Sequence, residues 1–305
     1  MKLIVGTRGS KLSLIQTEGV NRRIKQRNPE LEIIVKIIKT TGDKKADESL
    51  LSIEEKGMFE KEIDEALIRG DIDFAVHSMK DVPTIQPPRS AIVAVPERSS
   101  PNDVLVSKEN IKLMDLSESS IIGTSSPRRS AQIKYKRPDL EIKAIRGNVD
   151  TRLNKLNKGL YDAIIVAQAG LDRLNLGKNV TERFSLEEFT PAAGQGALAV
   201  VAREDDKKIT EILGLLNHQP SKIAALTERE FVKSIGGGCK VPLGAFSCLQ
   251  GDKLLLYACI LSPDGKTKIQ LKDSGDPNLP KELGKKTAMK MLEMGAKKLI
   301  EHWRA

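Results

Sequence analysis

The chain has 305 residues, 39% of them hydrophobic and 3% aromatic, and its 50 Lys and Arg outnumber its 41 Asp and Glu to give a formal net charge of +9. This length and hydrophobic content favour two or three globular domains and exclude a disordered chain. The positive charge favours a nucleic acid, an acidic membrane surface or a polyanionic small molecule as partner, but the scarcity of aromatic residues argues against single-stranded nucleic acid, which binds by base stacking.

The N-terminal residues contain no core of a signal peptide, because Arg8 follows a short apolar run after only a few residues. No later stretch approaches the length that spans a bilayer. We therefore expect a cytoplasmic protein. The cysteines Cys239, Cys248 and Cys259 are odd in number and lack the paired spacing of zinc ligands, so we expect neither disulfides nor structural zinc.

The first predicted unit is a strand over residues 3–5, followed by a turn and a helix. Ser10 is a candidate N-cap of that helix, and Arg8 lies just before it, where backbone N–H groups favour an anion. A solvated arginine in an exposed turn is the alternative for Arg8. A second strand is predicted over residues 31–38, and the polar residues 40–52 predict a loop.

A predicted helix that ends at Gly70 is followed by a buried strand and then by His-Ser-Met-Lys-Asp-Val-Pro. Lys80 and Asp81 therefore follow the carboxyl end of a strand, where open α/β sheets bind ligands. Asp81 could act as a general acid or base or stabilise a developing cation, and Lys80 could hold a carboxylate. A simple surface turn is the alternative. We expect His77 to be structural, because no other histidine or cysteine lies at metal-ligand spacing.

A linker, Pro-Glu-Arg-Ser-Ser-Pro-Asn-Asp, precedes a second set of strand and helix units. The strand over residues 121–123 leads into Thr-Ser-Ser-Pro-Arg-Arg, which places hydroxyl N-caps, a proline at the first helical position and two arginines together. A cation is unfavourable near a helix N-terminus, so a purely structural role for Arg128 and Arg129 is weakly supported. The segment predicts an anion site.

The same pattern recurs twice. Arg146 and Arg152 follow a predicted strand over residues 142–145, and Arg173 lies in a short helix after a predicted strand over residues 163–167. Because the carboxyl ends of strands meet at one edge of an open α/β sheet, these arginines could line one crevice together with Arg8 and Lys80. Such a crevice suits a ligand with several carboxylates or phosphates.

The remaining elements are a glycine-rich turn with a strand over residues 190–201, two alternating strands over residues 254–261 and 267–271, and a C-terminal helix. The turn lacks the Walker lysine and the spacing of a dinucleotide motif. The C-terminal segment predicts a small α+β domain, in which Met289 and Met291 are expected to pack in the core.

Three glycines precede Cys239 in Thr-Glu-Arg-Glu-Phe-Val-Lys-Ser-Ile-Gly-Gly-Gly-Cys-Lys-Val-Pro-Leu-Gly. Glycine has no Cβ, so a large group could reach the sulfur of Cys239 and be carried there. The alternative is an ordinary glycine cap at the end of a helix, followed by a small buried cysteine.

Eight segments stand in one order along the chain: GTRGSKL, KGMFEKEID, HSMKDVPT, GTSSPRRSAQ, RGNVDTRL, AGLDRL, PAAGQGALAV and EREFVKSIGGGCKVPLG. In these segments and in their order the chain resembles the porphobilinogen deaminases, also called hydroxymethylbilane synthases, over essentially its whole length. A small departure is Val201, where the family more often has an acidic residue. The departure touches no residue to which the resemblance assigns a catalytic role.

The resemblance implies an α/β fold with two periplasmic-binding-protein-like α/β domains that flank a cleft, and a small C-terminal α+β domain that carries the cofactor-anchoring cysteine. The expected boundaries are residues 1–96 with 196–216 for the first domain, 101–190 for the second and 220–305 for the third. The return of the chain to the first domain after the second is implied by the family alone.

The activity implied by the resemblance is the stepwise head-to-tail condensation of four porphobilinogen molecules, with release of ammonia, onto a covalently bound dipyrromethane primer. Hydrolysis then releases linear hydroxymethylbilane. Cys239 would hold the dipyrromethane cofactor through a thioether, and Asp81 would be the catalytic residue.

The resemblance also implies which residues bind each group. Those that bind the cofactor would be Ser78, Lys80, Asp81, Thr124, Ser126, Arg128, Arg129, Arg146 and Cys239. Those that bind the substrate would be Arg8, Ser10, Gln16, Lys56, Phe59, Arg146, Arg152 and Arg173. No metal, nucleic acid or membrane partner is expected, and the resemblance implies a monomer. A non-enzymatic two-lobed receptor for anions would also explain the arginines, but it gives no reason for the glycine-rich segment before Cys239.

Overall fold

The computed structural model describes residues 1–40, 60–236 and 241–304. It divides the chain into two compact units, Met1–Ser99 with Ala197–Lys222 and Ser100–Gly196 with Ile223–Ala305. The loop predicted over residues 40–52 lies, except for Thr40, outside the described residues. The finer division into three domains stays a prediction.

The secondary structure alternates between strands and helices for most of the chain. The strands are β1 Lys2–Thr7, β2 Glu32–Ile37, β3 Phe74–Ser78, β4 Ser90–Ala94, β5 Asp103–Ser107, β6 Ile121–Gly123, β7 Glu141–Lys143, β8 Ala163–Ala167, β9 Glu182–Arg183, β10 Leu198–Arg203, β11 Gly244–Gln250, β12 Lys253–Leu261 and β13 Lys268–Gly275. The α-helices are α1 Lys11–Arg27, α2 Lys61–Arg69, α3 Pro127–Lys136, α4 Val149–Asn157, α5 Gln168–Arg173, α6 Lys207–Gly214, α7 Gln219–Ser234, α8 Pro280–Met291 and α9 Lys297–Arg304. Across the described ranges, no helix is both long enough and apolar enough to span a bilayer.

The sheet of the first unit has the strand order β2-β1-β3-β10-β4. β1 pairs in parallel with β2 and β3, whereas β10 is antiparallel to β3 and β4. β3 is central, and its apolar residues Phe74, Ala75 and Val76 are buried. Val20 and Ile24 of α1 belong to the same core. Because β1 and β3 run in the same direction, their carboxyl ends lie at one edge of the sheet.

The first sheet of the second unit repeats this arrangement, with the strand order β7-β6-β8-β5-β9. β6 pairs in parallel with β7 and β8, and β5 is antiparallel to β8 and β9. The carboxyl ends of β6, β7 and β8 therefore also lie at one edge. The predicted α/β class is confirmed by these two sheets and the helices between their strands.

The second sheet of this unit is antiparallel, in the order β11-β12-β13. Phe231 of α7, Leu256 of β12, Met291 of α8 and Ile300 of α9 share one core, which confirms the expected α+β character of the C-terminal segment. The sequence pattern does not predict β11. Its residues Gly-Ala-Phe-Ser-Cys-Leu-Gln alternate weakly in polarity, and their extended conformation depends on pairing with β12.

The C-terminal helical segment departs from its prediction in two ways. It is not continuous, because a π-helical turn, Leu292–Ala296, separates α8 from α9, and Gly295 within that turn has a φ of 97°. The prediction that both methionines pack in the core is wrong for Met289, which is 55% exposed, whereas Met291 is fully buried. Residues two positions apart point to different sides of a helix, so one position faces the sheet and the other does not.

We expect Gly284→Ala to destabilise the protein by about 1–3 kcal/mol, because overpacking forces neighbouring atoms apart. A Cβ at this position of α8 would lie 2.6 Å from the Thr227 carbonyl oxygen and 2.9 Å from the Phe231 nitrogen, both in α7. Gly19→Ala in α1 is the matched control: apart from the chain neighbours and the nearby backbone of α1 itself, no described atom lies within 4 Å of a Cβ at that position. Alanine there should stabilise the helix by up to about 1 kcal/mol. Urea unfolding compares the variants, and equal stabilities would contradict the close approach of α7 and α8.

Candidate functional site

Asp81 lies on a short 3₁₀ turn, Met79–Asp81, that directly follows β3. The Met79 N–H donates to the Ala197 carbonyl oxygen at 3.0 Å, and the Val82 N–H donates to the Met79 carbonyl oxygen at 3.2 Å. The Met79 side chain is buried, whereas Lys80 and Asp81 are exposed. A buried apolar residue thus fixes the turn and leaves its carboxylate accessible for acid–base or electrostatic chemistry.

Four predicted binding residues of the first unit lie near the carboxyl ends of β1 and β3. Ser10 is the N-cap of α1, as predicted, and its hydroxyl accepts from the Ser13 N–H at 3.2 Å. Gln16 is buried, and its Nε2 donates to the Ser78 hydroxyl at 3.1 Å. Arg8 is half-buried between β1 and α1. Arg8 and Ser10 follow β1, and Gln16 contacts Ser78 at the end of β3, so these residues lie at the same edge of the sheet as the turn with Asp81.

His77 is buried in β3, and burial together with the charge of Arg8 lowers its pKa to about 4. The imidazole is therefore neutral at neutral pH. Its Nδ1 lies 3.7 Å from Oε1 of the buried Glu60, which is too long for a hydrogen bond, and a neutral ring makes no ion pair there. In the part of the chain that the structure describes, no three His, Cys, Asp or Glu side chains cluster so that they could hold a metal ion.

Helix α3 begins as the sequence predicts. Ser126 is its N-cap and accepts from the Arg129 N–H at 3.4 Å, and Pro127 occupies the first turn. The hydroxyl of the buried Thr124 accepts from the Ser126 N–H at 3.1 Å. Thr124 and Ser126 thus hold the backbone at the carboxyl end of β6, where the first turn of α3 presents its N–H groups.

Arg128 and Arg129 both contact Asp103, which is fully buried at the start of β5. Asp103 Oδ1 accepts from Arg129 Nε at 2.9 Å and from Gln195 Nε2 at 3.0 Å. Asp103 Oδ2 lies 2.8 Å from Arg128 Nη1, which donates its hydrogen bond to the Thr190 carbonyl oxygen at 2.8 Å. Burial raises the pKa of Asp103, but the charges of Arg128 and Arg129 outweigh it and lower the pKa to about 2. The carboxylate is ionised at neutral pH.

Arg146 lies in the connection between β7 and α4, and Arg152 lies in the first turn of α4. Within the described residues, neither forms an ion pair with a carboxylate. Arg152 Nε donates to the Gly147 carbonyl oxygen at 2.8 Å. Burial and the charges of Arg129 and Arg146 lower the pKa of Arg152 to about 10, so its guanidinium remains charged at neutral pH. Arg129, Arg146 and Arg152 therefore form a group whose positive charges repel one another.

Arg173, at the end of α5, donates from Nη2 to the Gly196 carbonyl oxygen at 2.8 Å. Arg173 belongs to the second unit, as do Arg129, Arg146 and Arg152. Three other predicted site residues, Lys56, Phe59 and Cys239, lie outside the described residues.

Asp103 and Gln195 are residues of this region that the sequence pattern does not single out. Both bind Arg129 or its partner, yet Asp103 stands in a polar linker sequence that looks like an ordinary domain connection. Its one local signal is that it immediately precedes an apolar run, because an ionised residue that begins a buried strand needs a partner. The sequence does not reveal which cation that partner is.

The first unit presents an exposed carboxylate and the second a group of cations, as expected of an α/β enzyme that acts on an anionic substrate. Residues 3–211 match the family model described as "Porphobilinogen deaminase, dipyromethane cofactor binding domain", and residues 222–293 match the C-terminal domain of the same family. The chain belongs to the porphobilinogen deaminase family, the members of which are transferases of tetrapyrrole synthesis. The cofactor of the matched domain is dipyrromethane.

Relatives named porphobilinogen deaminase match along almost their whole lengths. That of Geobacillus sp. (strain WCH70) is 46% identical, with 98% of this chain and 96% of the relative covered. That of Bacillus subtilis (strain 168) is 44% identical, with 97% and 95% covered. Among solved structures, the second substrate binding domain of a putative amino acid ABC transporter from Streptococcus pneumoniae is 16% identical, with 70% of this chain and 91% of that chain covered and a TM-score of 0.44. A likeness of that size assigns no function.

We expect the protein to lose about 2 kcal/mol of stability between pH 7 and pH 5 through His77. The folded-state pKa of His77, about 4, lies below its unfolded value of 6.5, so the unfolded chain binds more protons between these pH values and unfolding becomes easier as the pH falls. Urea unfolding at both pH values measures the loss. His77→Gln should reduce the dependence on pH, and His302→Gln, which changes an exposed residue of α9, should not. If His302→Gln had the larger effect, the assignment to His77 would be wrong.

Proposed function

We propose that the chain condenses four porphobilinogen molecules head to tail, releases ammonia at each addition, and holds the growing product through its cationic side chains. The observation that carries this proposal is the group formed by Arg129, Arg146 and Arg152, in which, among the described residues, neither Arg146 nor Arg152 forms an ion pair with a carboxylate. Burial and the charges of Arg129 and Arg146 lower the pKa of Arg152 to about 10. Such repulsion is offset when an anion binds. Porphobilinogen carries an acetate and a propionate, so a chain of several units supplies many carboxylates.

Dipyrromethane suits the same group of cations, since its pyrroles also carry carboxylates. When bound, it supplies the pyrrole carbon to which the first unit is added. The residues that we propose to hold it are Ser78, Lys80, Asp81, Thr124, Ser126, Arg128, Arg129 and Arg146, and we propose a thioether to Cys239. Thr124 and Ser126 fix the first turn of α3 for this purpose through their hydrogen bonds to backbone N–H groups.

We assign the chemistry to Asp81. Its side chain is exposed on a turn that the buried Met79 anchors, and a carboxylate there can accept hydrogen bonds from pyrrole N–H groups. It can also stabilise the cation that forms from the substrate as ammonia leaves. Lys80, exposed on the same turn, is proposed to bind a carboxylate, and Arg8, Ser10, Gln16, Lys56, Phe59, Arg152 and Arg173 are proposed to bind the substrate.

We further propose that the protein acts as a monomer in the cytoplasm, without a nucleic-acid or membrane partner. The alternative of a non-enzymatic anion receptor is disfavoured by membership of the family.

Asp81→Ala should lower kcat for porphobilinogen consumption by about 10²- to 10⁴-fold, the range lost with a general acid or base. Asp71→Ala is the matched control in the same unit, because Asp71 is an exposed carboxylate whose partner is Arg69 at the surface. Ammonia release from porphobilinogen measures the rate in both variants. Unchanged turnover by Asp81→Ala would remove Asp81 from the chemistry.

The intact mass of the purified protein, denatured under conditions that preserve thioethers, should exceed the mass of the chain by two linked pyrrole units. Peptide mapping should locate this addition on Cys239 and leave Cys248 and Cys259 unmodified. Cys259 is buried and burial raises the pKa of its thiol to about 11, so it is unreactive and serves as the internal control. Fully active protein with an unmodified Cys239 would exclude the attachment.

A further inference from the structure

We propose that Asp103 is a positioning residue for the anion site of the second unit. It would hold Arg128 and Arg129 side by side at the first turn of α3, ready for a ligand, while it neutralises one of the two charges. The inference rests on the proposed function, because it assumes that these arginines bind the carboxylates of cofactor or substrate.

Each carboxylate oxygen of Asp103 contacts a different guanidinium group. Oδ1 lies 2.9 Å from Nε and 2.7 Å from Nη2 of Arg129. Oδ2 lies 2.8 Å from Nη1 of Arg128. Arg129 Nη1 in turn donates to the Ile165 carbonyl oxygen at 3.0 Å. Gln195 donates to the same Oδ1 and to the Pro101 carbonyl oxygen. The carboxylate is therefore fixed independently of the two arginines that it holds.

The location of the arginines makes such a carboxylate necessary. Residues at a helix N-terminus experience the positive end of the helix dipole, which disfavours cations, and burial removes the water that would solvate them. Arg128 and Arg129 are only 5% and 6% exposed at that position. Without Asp103, the two like charges would repel each other and turn toward solvent, away from the group that also contains Arg146 and Arg152.

One carboxylate meets two guanidinium groups, so a positive charge is left for a ligand. Within the described residues, the contacts of Arg128 with Asp103 and with the Thr190 carbonyl oxygen both use Nη1, and we propose that Nε and Nη2 bind a ligand oxygen. The residual charge of the pair also acts on Arg152, whose pKa is lowered in part by Arg129. Asp103 therefore sets both the direction of Arg128 and the amount of uncompensated charge near Arg152.

The test compares Asp103→Asn, Asp103→Glu and Asp139→Asn as purified full-length proteins. Asp139→Asn is the matched control, because Asp139 also pairs with an arginine of this region, Arg137, but at the other end of α3. For each variant we would measure the thermal unfolding midpoint, the fraction of chain that carries the dipyrromethane mass, and kcat and KM for porphobilinogen well below the unfolding midpoint.

For Asp103→Asn we expect the fraction of chain with cofactor to fall, or KM to rise by about ten- to a hundredfold in the fraction that carries it, with a smaller change in kcat. Asp103→Glu keeps the charge but displaces it by one methylene, so it should still raise KM above the wild-type value, though by less than Asp103→Asn does. Asp139→Asn should match the wild type. A lowered unfolding midpoint with normal cofactor content and normal KM would show that Asp103 is structural only, and would overturn the proposal.

If Asp103→Asn does not fold, the same measurements on Asp103→Glu decide, since a carboxylate displaced by one methylene should still raise KM. Wild-type KM and cofactor content in that variant would also overturn the proposal. The proposed function is tested separately by the wild type: if the wild-type protein neither carries the cofactor nor releases ammonia from porphobilinogen, the function fails before any variant is compared.

Discussion

Several partly buried arginines that lie close together repel one another. In the absence of a ligand, another negative charge must offset that repulsion. The second unit meets this requirement with a single buried carboxylate, Asp103, between Arg128 and Arg129. The carboxylate stays ionised because the same charges lower its pKa to about 2. The balance is incomplete, since Arg146 and Arg152 add positive charge that no carboxylate of the described residues neutralises. An anionic ligand would complete it.

Residues 190–196 form hydrogen bonds with two arginines of the second unit and with a buried carboxylate of α7. Its first carbonyl oxygen, that of Thr190, accepts from Arg128 Nη1 at 2.8 Å, and its last, that of Gly196, accepts from Arg173 Nη2 at 2.8 Å. Between them, the Gly194 N–H donates to the buried carboxylate of Glu228 in α7 at 2.6 Å. This glycine-rich turn contains no nucleotide motif, and its hydrogen bonds instead hold two arginines of the second unit in fixed positions.

The two units have the same sheet arrangement but present different charged groups. In each sheet, three neighbouring strands are parallel and the fourth pairs antiparallel with the strands on both of its sides. The predicted site residues follow the carboxyl ends of the parallel strands. In the first unit that edge carries the exposed Asp81, and in the second it carries the group of cations. A carboxylate that must stabilise a developing cation works best when it is not already paired, and cations that hold a polyanion work best in a group. Separate sheets satisfy both requirements.

Features that depend on near neighbours could be predicted from the order of residues alone. Ser10 and Ser126 cap their helices as predicted, because capping involves residues only a few positions apart. The order of the eight motifs likewise identified the family, and with it the expected roles of Asp81 and Cys239. Strand ends could also be located approximately, so the predicted arginines lie close to the carboxyl ends of parallel strands.

Ion pairs between distant residues, and the burial of individual side chains, could not be predicted from the sequence and are seen only in the folded chain. Asp103 and Arg129 are 26 residues apart, and no local pattern indicates that they meet. The neutrality of His77 likewise depends on its burial in a central strand, and the exposure of Met289 depends on which side of α8 faces the sheet. Burial and electrostatic pairing depend on distances between residues remote in sequence, so these properties exist only once the chain is folded.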